Sequence, residues 1–196
     1  MNINTHSVHY PDNSRGPIRE RRNAVDYHHA VGVPRDYWHA DKPTSIVGHQ
    51  PDGSLFALYF HSKNLSPLDL SSNLGVALTR CEYGGEGVNV PTIPVRELLR
   101  KDILARGPQA RLYITWPGYQ HLGYGEDVLL DTTIGELASQ VAGIFKRFYE
   151  KNYQRFEGPG LPLGPDYITY DQIRLRKLFL HGTIWKLELS YVSKDI

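Results

Sequence analysis

The stretch from Thr133 to Lys151 constrains the fold of this chain more than any other. Thr133 followed by Glu136 is a capping-box pattern, in which each residue satisfies a backbone N–H that the first helical turn leaves open. Behind it, Ile134, Leu137, Val141, Ile144, Phe145 and Phe148 recur at helical spacing. Lys146, Arg147 and Lys151 gather near the far end, where the helix dipole favours cations. A helix with one apolar stripe must bury it, so the rest of the chain has to supply a facing layer.

That layer reads as strands. Thr44 to His49 and Leu55 to Phe60 flank the turn Pro51-Asp52-Gly53-Ser54 and are expected to pair as a hairpin, the second run being apolar enough for a central strand. Leu74 to Thr79 is a third strand, ended by Gly84-Gly85, and Arg111 to Trp116 is a fourth, stopped by Pro117-Gly118. Trp185, Leu187, Leu189 and Tyr191 alternate with Lys186, Glu188 and Ser190, the signature of a half-buried strand. Gln172 to Leu180 admits two readings: Ile173 to Arg176 alternates, while Thr169-x-x-Gln172 would also cap a helix. We assign it as a strand joined to the last one by a hairpin at His181-Gly182-Thr183. Val95 to Arg106 is a second helix by pattern, with Val95, Leu98, Leu99 and Ile103 on one side and Gly107-Pro108 as its stop. Gly158 to Pro165 reads as a connecting loop. The expected architecture is α+β: a largely antiparallel sheet with two long helices packed on it, over residues 44–196.

Residues 1–43 differ from the rest. Five of the nine His lie there, with Arg15, Arg19, Arg21 and Arg22, and large aliphatics are sparse until Ile46. We read an arm, partly disordered or docked, for which Tyr27, Val31, Val33, Tyr37 and Trp38 would be the anchors. An arm that docks on a second copy is a low-cost route to a homodimer, and that is the expected assembly.

Composition removes several function classes. Lys and Arg number 22 against 21 Asp and Glu, a net charge of +1, which argues against a nucleic-acid binder. A single Cys excludes an internal disulfide framework and Cys-rich zinc sites. No apolar run approaches the roughly 18 residues of a membrane span, and Met1 to Asn4 lacks the form of a signal peptide, so an intracellular protein, cytoplasmic or nuclear, is expected.

Specific motifs are weak. Asp26, His28, His29, His39 and Asp41 have metal-ligand chemistry, but adjacent histidines diverge on a strand or a helix, and a solvated arm is the preferred reading. The glycines at 158, 160 and 164 do not have phosphate-loop spacing, and their prolines remove the amides such a loop needs. Cys81 has no nucleophile motif around it and reads as a packed cysteine. The arginines from 15 to 22 are interrupted by Glu20 and read as a solvated tail. No metal and no cofactor is expected.

The segment from Trp116 to Asp127 is the preferred site. Trp116, Tyr119, His121, Tyr124, Glu126 and Asp127 fall in one expected loop after a strand, giving flat apolar faces beside titratable groups. The bland reading is that Trp116 and Tyr119 anchor the loop while His121 is exposed.

Trp116-Pro117-Gly118-Tyr119 with His121, the capped helix Ile134 to Tyr149, and Leu175, Leu178 and Trp185 form an ensemble that resembles uncharacterised proteins encoded in basidiomycete fungal genomes. The likeness covers about residues 110 to 192. It implies a fungal origin and brings no activity, substrate or cofactor with it.

Tyr (13) and Trp (3) outnumber Phe (6), and rings with polar tips favour interfaces and clefts. The expected function is therefore a non-enzymatic interaction or ligand-binding module, with a protein partner, a second copy or a small molecule as its target. The alternative is a small-molecule enzyme in which His121 is the general acid/base and Asp127 or Glu126 orients it, with Trp116 and Tyr119 as walls.

Overall fold

The computed structural model describes residues 44–47, 56–63 and 75–192. The arm 1–43, with its His/Asp set, arginines and aromatic anchors, lies outside the described residues, as does the turn at 51–54.

Among the described residues seven strands form one mixed sheet: β1 (Thr44–Val47), β2 (Phe56–Tyr59), β3 (Val76–Ala77), β4 (Gln109–Tyr113), β5 (Gly125–Leu129), β6 (Ile173–His181) and β7 (Ile184–Val192). Their order is β2-β6-β7-β4-β5, with β3 beside the other end of β6 and β1 beside β7. Every pairing is antiparallel except β4 with β7, where Leu112 meets Trp185. Helical pieces are α1 (Leu78–Cys81), α2 (Val95–Leu98), α3 (Lys101–Leu104) and α4 (Ile134–Asn152). No helix among the described residues is long and apolar enough to cross a membrane.

The α+β class and the mostly antiparallel sheet agree with expectation, but among the described residues only one helix is long. The turns α2 and α3 replace the continuous helix expected over 95–106, because Leu99 and Arg100 adopt extended backbone between them. Arg100 grips Asp102 through two hydrogen bonds of 3.0 Å, which starts the second turn, while Val95, Leu99 and Ile103 all reach the core. The expected hairpin between 44–49 and 55–60 does not form: β1 pairs with β7 and β2 with β6. β2 therefore takes an outermost place in the sheet, not a central one. The third strand shrinks to two residues and rolls into α1, and the fourth ends at Tyr113, three residues before Trp116.

The β6–β7 hairpin explains why its sequence reads two ways. Ile173, Leu175, Leu178 and Leu180 are buried, a pattern that steps by two, three and two. A register shift between Leu175 and Lys177 absorbs the extra residue, so Leu175 faces Leu189, Leu178 faces Leu187 and Leu180 faces Trp185 on one side of the sheet. The Thr169–Gln172 capping box is also real, closing a single 3-10 turn before β6.

α4 supplies the opposing layer. Its capping box forms as expected, with the Glu136 N–H donating to Thr133 Oγ1 at 3.2 Å and the Thr133 N–H donating to Glu136 Oε2 at 3.0 Å. Its stripe joins the Leu faces of β6 and β7 in a single hydrophobic cluster. Beside the helix start, Gly85 (φ +71°) lies so close to Gly135 that a Cβ on Gly85 would sit 2.4 Å from the Gly135 Cα.

Candidate functional site

After β4 the chain turns into the core instead of into solvent. Trp116 and Tyr119 are each 1% exposed. The Trp116 ring packs edge-on against Phe145 of α4 at 5.6 Å, and its Nε1–H donates to the Leu161 carbonyl at 2.7 Å. The Tyr119 ring lies 5.7 Å from both Phe148 and Phe156. Its hydroxyl donates to the Tyr153 carbonyl at 2.8 Å and accepts from the Leu163 N–H at 3.0 Å. Burial pushes the Tyr119 phenol above its ordinary range, against the smaller opposing effect of the Leu163 N–H.

These bonds fasten the Gly/Pro stretch to the end of α4. Leu161 N–H donates to Pro117 O at 3.2 Å and Glu157 N–H to Gly118 O at 2.9 Å. Gly160 makes the approach possible, since a Cβ there would sit 2.6 Å from the Pro117 carbonyl carbon. Gly164 to Tyr167 closes a turn, its Tyr167 N–H donating to Gly164 O at 3.1 Å.

Between this strap and the helix end lies a cleft of about 430 Å³, lined by Tyr153, Gln154, Phe156, Pro162, Leu163, Gly164, Pro165, Asp166 and Tyr167. That volume falls within the usual range for small-ligand pockets. The rings on the helix side are held from behind: Tyr153 stacks on Tyr149 at 6.0 Å, and Phe156 lies against Gly118 and Tyr119. Tyr167 stands opposite, 60% exposed. Gly164 sits between two of the walls, its added Cβ falling 3.3 Å from the Tyr153 ring and 3.8 Å from the Tyr167 ring. Gln154 donates to the Tyr153 hydroxyl at 3.0 Å, and Asp166 is the one charged side chain in the lining.

The residues expected to form the site are dispersed. His121, on a 3-10 turn over Gln120–Leu122, places Nε2 3.5 Å from Glu157, not against Asp127 or Glu126. The expected loop is itself partly strand, so Glu126 and Asp127 are strand residues of β5. Asp127 pairs across to Arg111 of β4 at 3.1 Å, in solvent. Glu126 receives Arg147 of α4 at 2.5 Å and the Tyr124 hydroxyl. The Arg147 guanidinium holds the Glu126 carboxyl below its ordinary range, while burial, seconded by Glu126, pushes the Tyr124 phenol up to about 12. The trio ties the edge strand to α4.

Sequence reasoning assigned the strap to a connecting loop and so missed Tyr153, Phe156 and Tyr167. The signal was present, because Tyr149, Tyr153 and Phe156 continue the aromatic face of α4 beyond the point where its apolar stripe stops. Among the described residues no group of three or more His, Cys, Asp or Glu is placed to hold a metal ion. Cys81 is buried, and burial seconded by Glu82 raises its thiol to about 12. Comparisons with family models, with curated proteins and with solved structures find no match to this chain.

Proposed function

We propose that the protein is a non-enzymatic binding module whose ligand, a small molecule with a flat apolar face, seats in the cleft between the end of α4 and the strap. One observation carries the reading: three aromatic rings border an open volume, and the two on the helix side are braced by further rings and by backbone. Preorganised rings bind a flat partner with little ordering entropy, and the exposed Tyr167 is the wall most easily explained by a ligand. The enzymatic alternative finds less support, since Arg111 and Arg147 already hold the carboxylates it would give to His121. Fungal origin rests on the sequence resemblance alone.

Indole is a suitable probe. Titration followed by aromatic NMR should shift the rings of Tyr153, Phe156 and Tyr167 and leave the exposed Tyr83 unmoved. Tyr167→Ala should weaken indole binding by roughly threefold to tenfold, the worth of one aromatic pair. Absence of any shift at those rings up to millimolar indole would overturn the reading.

A further inference from the structure

Glu188 of β7 is buried and is shared by Arg176 at 2.8 Å and Lys177 at 3.2 Å. Arg174, on the same strand as those two cations, is opposite Ser190, two residues from Glu188 and on the same side of the sheet. Its Nε is sealed from solvent and has no hydrogen-bond acceptor. Glu188 is thus engaged by Arg176 and Lys177, not by Arg174. Ala77 of β3 pairs with Arg174, and α1 begins at the next residue, carrying Arg80.

A guanidinium withdrawn from water without an anion is costly, whereas the same group facing an oxyanion makes charge-assisted, often bidentate hydrogen bonds. Burial, and then the Arg80 charge, hold the Arg174 guanidinium below its ordinary range, and no carboxylate acts against them. Because the guanidinium charge is delocalised, an anion on any of its edges offsets it. Arg174 as a whole is only half-buried, so a small group can approach it without parting the sheet.

We propose that Arg174 is a binding site for a small oxyanion of the phosphate or carboxylate type, separate from the aromatic cleft.

The test is thermal unfolding of the full chain in sodium phosphate, sodium acetate and sodium chloride at matched ionic strength. Phosphate or acetate should raise the Tm in a saturable way that chloride does not, and which of the two acts distinguishes a phosphate-type from a carboxylate-type ligand. In Arg174→Met the response should fall by at least about tenfold in apparent affinity, as expected for loss of a charge-assisted fork. The same variant should unfold no lower than wild type in chloride, because the buried charge it removes has no partner. Arg174→Lys, which keeps the charge and loses the fork, should show an intermediate response and serves if the Met variant does not fold. An anion response equal to that of chloride would overturn the site, as would an unchanged response in either variant. A marked loss of stability in chloride for Arg174→Met would also overturn it, by showing that the charge is already balanced within the chain.

Discussion

Tyr119 shows what the unusual aromatic usage is for. A count of 13 Tyr and 3 Trp suggests rings half out of the protein, and in Tyr83 and Tyr167 that inference holds. In Trp116 and Tyr119 it fails, because a polar tip can also be satisfied inside, by carbonyls and amides of a loop that lacks a ladder of its own. Tyr119→Phe leaves the Tyr153 carbonyl and the Leu163 N–H without that partner. We expect a loss of about 1–3 kcal/mol in urea unfolding, with the cleft rings broadened in NMR spectra. The titrating residues set a pH window. Glu126 has its carboxyl below the ordinary 4.5, so its contribution is complete above that value and lost as pH falls through the lower, folded one. Cys81 and Tyr124 are raised from 9.0 and 10.0 to about 12, so theirs is complete below those starting values and lost as pH climbs to about 12. Unfolding at stepped pH should therefore show a plateau between about 5 and 9 with a decline on either side. Cys81 should also ignore a thiol reagent at pH 8 in the native protein and react fully once urea unfolds it.

At the scale of elements, legibility followed local completeness. α4 carries its own cap, stripe and cationic end, and its bounds could be read almost to the residue. Thr133→Ala should lower stability by about 1 kcal/mol, measured by urea unfolding, because the Glu136 N–H loses its acceptor. The region 95–106 has a stripe but no cap, and the backbone breaks at Leu99 so that three apolar residues reach the core from two separate turns. β5 escaped notice because Gly-Glu-Asp has poor strand propensity. It is an edge strand, where charged residues are tolerated and block further pairing. Gly84-Gly85 reads as the end of the third strand, but that strand ends at Ala77 and the glycines follow α1; the task of Gly85 depends on a contact 50 residues away that no local pattern records. Gly85→Ala is expected to be among the most damaging single changes in the chain, through both its positive φ and the collision with Gly135. Circular dichroism melts against Gly182→Ala, which has φ +64° and open space, would separate the two causes.

For the whole molecule, the class of fold followed from the sequence while its connections did not. Neighbouring runs at 44–49 and 55–60 invited a hairpin, yet each found its partner more than a hundred residues further on. Pairing of that kind is fixed by the assembled sheet, not by the turn between the runs. The homodimer inferred from residues 1–43 belongs to this scale too. Light scattering should give dimer mass for the full chain and monomer mass after deletion of 1–43, and a monomeric full chain would remove the idea. The arrangement of β7 has a different outcome. It is the seventh strand in chain order, and β1, β4 and β6 all pair with it. While a ribosome is still adding residues 150 to 180, β1 and the β4–β5 hairpin have already been made and lack the strand they pair with. The nascent chain therefore offers unpaired backbone to any other chain nearby until residue 192 emerges, which exposes its synthesis to mispairing that the finished fold no longer permits.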